Sequence, residues 1–297
     1  MSDTKKGARK PKGDSTASPQ VSQELVTSVL IAVLYALFLI ETIWESGLEA
    51  LIFSAVLFAV LLLMAYMVGR GSLKGQLQFK SLVYAFIGLS ALSMIIELLR
   101  YLGVPAMAGV FWAGVLGMVN AVVSVIAIAA ILYVEKGELK KLYLSLGDIK
   151  VAGLGAIGFV LCIIAGLAGA YIIFGGNTIG QDKFLQIAVS VIVFGVLSGI
   201  VEEVWFRGLL LSRIIPLLGE SRGNIFQAAV FGVFETVMFY TITGLVAYLP
   251  VIFIIGAFTG FYWGRATLKA NSLAAPALLH AGLYILLLLP LVTGISS

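Results

Sequence analysis

The sequence predicts an all-α fold: a polytopic transmembrane helix bundle of about nine spans with a cytoplasmic N-terminus. Three observations carry that expectation. First, 61% of the 297 residues are apolar and only 11% are charged, whereas soluble domains carry about a quarter charged residues. A water-soluble core could not hide so much apolar surface, so lipid must solvate much of it. Second, the apolar residues fall into long uninterrupted stretches. Third, the basic residues concentrate in every second connection between those stretches.

A spanning helix needs about 20 mostly apolar residues. Nine stretches qualify: 25–44, 48–68, 82–99, 110–134, 151–174, 184–211, 224–243, 245–264 and 272–294. They are continuously apolar rather than alternating, which selects helices over barrel strands. One side of the membrane would hold residues 1–24 and the loops 69–81, 135–150, 212–223 and 265–271. These carry 16 of the 19 Lys and Arg residues, which places them in the cytoplasm. The other side has Arg100 and Lys183, and Arg207 lies within a span. Three regions follow: a disordered basic tail over 1–24, a four-helix membrane region over 25–134, and a five-helix core over 145–294. The first apolar stretch is too long for a cleaved signal, so the tail is expected to stay. A prokaryotic plasma membrane is the expected location.

Cysteine and histidine usage narrows the chemistry. The single cysteine, Cys162, excludes an internal disulfide, a zinc ribbon or a cysteine-ligated cluster. With one histidine, His280, any metal site would rest mainly on carboxylates. The basic tail is read as a disordered cytoplasmic tail, and no nucleic-acid partner is expected.

Charged groups inside a span cost a few kcal/mol or more and are functional suspects. Glu41, Glu45, Glu49 and Glu97 sit near outer ends of spans, where solvation or snorkelling suffices. The remainder do not. The sixth span carries Glu202, Glu203 and Arg207. Glu203 and Arg207 are four apart and share a helix face, whereas Glu202 points about 100° away. The seventh span carries Phe231 and Glu235, and the ninth His280 and Tyr284 on one face. Measured along their helices, Glu202, Glu235 and His280 lie about 12–17 Å from the cytoplasmic ends. Three ionisable groups at one depth on three helices indicate a common site or a buried polar network. In the eighth span, Gly256, Gly260 and Gly264 have the spacing of close helix packing.

At these residues the chain resembles the CPBP family, the CAAX proteases and bacteriocin-processing enzymes, which includes the Ras-converting prenyl-protein endoproteases. The family pattern is Glu-Glu-x-x-x-Arg, then Phe-x-x-x-His, then His-x-x-x-Asn or Asp, each on its own span. The first motif is complete in Glu202, Glu203 and Arg207, followed by Gly208. The stretch from Gly260 to Gly264 and on through Asn271, Ser272 and Pro276 to His280 is similar to the approach to the last motif. The resemblance covers residues 145–290. It implies that Glu202 activates water, that Glu203 is held by Arg207 and orients the site, and that His280 steadies the oxyanion. The second motif ends in Glu235 instead of His, and the third in Tyr284, whose phenol can still donate a hydrogen bond.

Three functions fit this pattern. The first is an intramembrane endopeptidase acting on a membrane-associated or prenylated peptide, with Glu202 and Glu235 sharing a proton as an acid pair. The second is a non-catalytic relative that binds a membrane peptide. The third is a transporter with an acidic proton relay. Ligand type alone would allow zinc at Glu202, Glu235 and His280. The nearby Arg207 would repel a cation, so no cofactor is expected.

Overall fold

The computed structural model describes residues 29–37, 48–69, 77–101, 110–135, 139–145, 147–243 and 246–296. The tail 1–24, Glu41, Glu45 and the side chain of Glu97 lie outside the described residues. Glu49 is exposed.

Every regular element among the described residues is helical, because a chain in hydrocarbon must satisfy each backbone N–H and C=O internally. A helical segment α1 covers 29–37. It is followed by α2 (Leu48–Gly69), α3 (Leu77–Tyr101), α4 (Val110–Glu135), α5 (Ile149–Ile172) and α6 (Gln181–Glu203). The chain then passes without a break through a π-helical segment, Val204–Leu211, into α7 (Ser212–Thr243), and continues to α8 (Leu249–Ala270) and α9 (Ala274–Ser296).

Five stretches among the described residues are long and apolar enough to cross a membrane: Leu48–Met67, Ile149–Ile172, Gln181–Thr236, Val246–Ala270 and Ala274–Gly294. The third runs for 56 residues, far more than one crossing needs. Gly219 interrupts it with φ 78 and ψ 165, three residues after Pro216. The expected loop 212–223 is therefore mostly helical, with its bend concentrated at one glycine. That φ is open to glycine at little steric cost. Similarly, α8 continues through the expected loop 265–271 as far as Ala270, where Asn271 stops it in the left-handed conformation, φ 51. Apolar content marks where lipid ends, not where intrahelical hydrogen bonding ends, so polar last turns escape a hydropathy reading.

The main apolar core crosses the expected boundary between the four-helix and five-helix regions. Leu34, Leu57, Leu82 and Phe86 lie in one buried cluster with Trp205, Phe206, Leu209 and Phe231. Trp205 donates its indole N–H to Ser124 on α4 at 3.0 Å. A side chain on Gly88 of α3 would overlap the Trp205 ring, 2.5 Å from the nearest ring carbon. The N-terminal helices thus pack against the π-helical segment from behind.

Small residues set the spacing around α9. A Cβ on Gly199 of α6 would come within 2.6 Å of the Ala281 backbone nitrogen and 3.1 Å of the His280 carbonyl carbon. On the other flank, Gly155 of α5 meets Ala275, and Gly282 of α9 meets Phe159 and Cys162. Gly256 and Gly260 of α8 approach Gly232, Glu235, Ala228 and Phe231 of α7 in the same way, which is the packing role their spacing suggested. Because the atoms opposing Gly199 belong to the backbone, glycine is what lets α9 present His280 close to α6.

The entry to α9 is tied to the segment before α5. Leu273 donates its N–H to the Tyr143 carbonyl at 3.0 Å, and Ser145 donates its hydroxyl to the Asn271 carbonyl at 2.7 Å. Ser272 donates in turn to the Ser145 carbonyl, and its oxygen accepts from the Ala274 N–H at 3.1 Å, capping α9.

Candidate active site

The described residues bring Glu202, Glu203, Arg207, Glu235, His280 and Tyr284 into one cluster drawn from α6, the π-helical segment, α7 and α9. Glu203 and Arg207 form its closed end, and neither side chain is exposed to any degree. Arg207 Nη1 donates to Glu203 Oε1 at 2.6 Å. The guanidinium carbon lies 4.0 Å from the Phe231 ring centroid and 5.4 Å from that of Trp263. Two aromatic faces therefore take part in stabilising a cation that has left water, an interaction worth about 2 kcal/mol when desolvated.

His280 connects this closed end to the reactive one. Its Nδ1 lies 3.0 Å from Glu203 Oε1. An ionised carboxylate can only accept, so Nδ1 carries the proton and Nε2 is turned the other way. There Nε2 lies 3.3 Å from Glu235 Oε1 and 3.5 Å from Glu202 Oε2. The ring is held edge-on by Phe231, with centroids 5.4 Å apart, and lies 4.9 Å from Trp263 and 4.7 Å from Tyr284. Rigid aromatic neighbours on three helices fix its orientation.

Tyr284 completes the cluster. Its hydroxyl lies 2.8 Å from each oxygen of Glu202 and 3.4 Å from Glu235 Oε1. One phenolic proton serves two carboxylates, and Glu202 is the closer acceptor. Glu202 is 5% exposed and His280 1%, whereas the Glu235 side chain is 19% exposed. The cluster is sealed at Glu203 and Arg207 and is partly exposed at Glu235.

Sequence reading missed several of its supports. The π-helical segment carries Trp205, Phe206 and Arg207, and such irregular helical turns often sit at functional sites. Nothing in an apolar stretch announces one. The aromatic box of Phe231 and Trp263 around Arg207 was missed too, although an arginine in a span between aromatic-rich helices is a usable signal. Asn224, Gln227 and Thr267 are also buried, at 2%, 0% and 0% exposure. Asn224 donates its amide to the Phe261 carbonyl at 2.9 Å, linking α7 to α8.

The fold and this site define an integral membrane protein whose spans enclose a carboxylate–imidazole centre. Residues 184–286 match the family described as type II CAAX prenyl endopeptidase Rce1-like, a match that agrees with the CPBP resemblance of the motifs. The family is one of membrane endopeptidases. The matched region begins inside α6 and takes in every residue of the cluster, whereas α5 and the N-terminal helices lie outside it. Searches of curated proteins and of solved structures find no match.

Proposed function

We propose that the protein is an intramembrane endopeptidase of CAAX-protease type, hydrolysing a peptide bond in a membrane-associated or prenylated substrate. The observation that carries this reading is the convergence of Glu202, Glu235, His280 and Tyr284 from three helices on one point. Glu202 removes a proton from water, which attacks the substrate carbonyl. His280 Nε2, which takes the shared proton from Glu235 3.3 Å away, donates it to the developing oxyanion, aided by the Tyr284 hydroxyl. Glu202 then returns its proton to the leaving amine. Glu203, anchored by Arg207, is a positioning residue that acts through His280 Nδ1. Glu235 takes the place of the family's His. With Arg207 and Glu203 cancelling, Glu202 and Glu235 would carry two negative charges if both were ionised, so the pair shares a proton.

The test is a pH–rate profile over a panel of prenylated and membrane peptides. A shared-proton pair gives a rate that falls on both sides of an optimum, and the two ionisations belong to the pair and not to either residue. Glu235→His replaces the acid pair with an acid–imidazole pair and should move the optimum. Absence of hydrolysis by the wild type at every pH would instead favour a non-catalytic peptide-binding relative, a reading that the missing motif histidine supports.

The proposed setting is a nine-span chain with its N-terminus in the cytoplasm and its C-terminus outside, and with the site reached from the cytoplasmic side of a prokaryotic plasma membrane. The basic bias of alternate loops supports it. Within it, residues 1–24 form a tail, 25–134 a supporting membrane region and 145–294 the protease core. Reporter fusions at residues 1 and 297 are expected to report opposite sides. Both ends on one side would refute the count of nine and point to a re-entrant span or a different division of 224–264.

A further inference from the structure

We propose that residues 139–145, which lie outside the matched domain, form a positioning strap: through Tyr143 and Ser145 they set the axial register of α9, and with it the place of His280 against Glu203. The expected effect on cleavage rests on the peptidase reading, whereas the expected effect on the His280 ring does not.

The first argument is what the helices beside α9 leave open. α9 lies in a groove lined by glycine. Gly155 and Gly166 of α5 face Ala275, Ile285 and Leu286, and Gly195 and Gly199 of α6 face Ala281, Tyr284 and Ile285. A Cβ on Gly166 would come within 3.0 Å of the Ile285 carbonyl oxygen, and one on Gly195 within 3.3 Å of the Ala281 carbonyl oxygen. Such contacts let helix backbones approach closely. They fix how near α9 comes. A glycine has no side chain to interlock with a neighbouring ridge, so they resist sliding along the axis less than interdigitated side chains do.

The second argument is that the strap supplies a stop at the entry to α9. The Tyr143 carbonyl accepts from the Leu273 N–H at 3.0 Å, and Ser145 donates its hydroxyl to the Asn271 carbonyl at 2.7 Å. The Ser272 hydroxyl donates back to the Ser145 carbonyl. One short segment thereby holds three successive residues of the α8–α9 link. The strap is anchored in turn to the π-helical segment. Leu142 is fully buried in one core with Val204, Trp205 and Leu209. A Cβ on Gly208 would come within 3.1 Å of the Leu142 carbonyl oxygen and 3.5 Å of Leu273 Cδ1. Strap and α9 entry therefore meet at the residue next to Arg207. Tyr143 holds φ 57, a region that residues with side chains seldom adopt and keep only where their surroundings impose it.

The third argument is what this offset controls. Arg207 comes from the π-helical segment and His280 from α9, and both reach Glu203 Oε1, at 2.6 and 3.0 Å. His280 follows Leu273 by about two helical turns. The residues between them are helical, so a shift at the entry is carried to the ring. A misplacement of about 1 Å can cost about 10²-fold in rate. Ser145 itself is exposed and touches none of the reacting groups.

The experiment uses the full-length protein in detergent with isotope-labelled histidine. His280 is the one histidine of the chain, so a single imidazole NMR signal reports its bond to Glu203. Ser145→Ala should shift or broaden that signal and lower kcat about tenfold, with KM within about twofold of the wild type. Ser145→Thr, which keeps the hydroxyl, should restore both. Thr178→Ala removes a comparable exposed bond, 2.7 Å to the Gly175 carbonyl, beyond the far end of α5, and should leave signal and rate as they are. An imidazole signal unmoved by Ser145→Ala overturns the strap, whatever the unfolding temperature does. Equal movement in Thr178→Ala, or no recovery in Ser145→Thr, overturns it too. A moved signal with unchanged kcat overturns it as a device for cleavage. A moved signal in a protein whose wild type cleaves no peptide keeps the strap and removes the peptidase reading instead.

Discussion

Replacing Glu202 with Gln should reduce peptide cleavage by about 10²–10⁴-fold, the usual contribution of a positioned general base, while the protein remains folded. The two halves of this expectation have separate causes. The amide keeps the size of the side chain and can still accept from Tyr284, whose hydroxyl lies 2.8 Å from both carboxylate oxygens. It cannot take a proton from water at useful pH. Glu202 is 5% exposed and shares its surroundings with Glu235, so removing its charge relieves repulsion between buried acids rather than breaking an ion pair. Thermal unfolding of the variant should therefore occur at the wild-type temperature or slightly above it. Rates measured beside unfolding midpoints decide the matter. Cleavage undiminished in Glu202→Gln removes Glu202 as the base, and a large fall in the midpoint assigns it a structural part.

The site was more legible in the sequence than the helix ends were, for a physical reason. An ionisable group in a long apolar stretch is costly and therefore conspicuous, so Glu202, Glu203, Arg207, Glu235 and His280 could be selected one by one. Counting along each helix put Glu202, Glu235 and His280 at one depth, and their side chains meet in the structure. Tyr284 needed the helical repeat from His280. What stayed hidden depends on three-dimensional neighbours. Gly199 looks like any other small residue in a span until the Ala281 backbone is seen against it. The π-helical turn at Val204–Leu211 changes hydrogen-bond register but not composition. The bend at Gly219 lies in a segment polar enough to be read as a loop, yet its neighbours are helical. The family resemblance added the roles that physical reasoning alone left open, and the shared core of Trp205 with the N-terminal helices shows why the matched domain is not the whole folded unit.

Arg207→Ala should behave in the opposite way to Glu202→Gln and destabilise the protein by about 3–5 kcal/mol, the range for removing one partner of a buried ion pair. Glu203 has no exposed side-chain surface, and its Oε2 has no hydrogen-bond partner within the protein. Oε1 carries both contacts, one from Arg207 and one from His280. Without the guanidinium, Glu203 keeps only the imidazole, and a negative charge is left buried in an apolar bundle. The variant also empties the space between Phe231 and Trp263, adding a cavity to the electrostatic loss. Activity should fall as well, because His280 loses the anchored carboxylate that fixes its tautomer. A second substitution separates the two causes. In Arg207→Ala with Glu203→Gln the stranded charge is gone and only the cavity remains, so part of the lost stability should return. Chemical or thermal unfolding of the wild type, both single variants and the double variant completes the cycle. If the double variant is as unstable as the sum of the singles, the pair carries no coupling, and Arg207 serves the bundle through packing alone.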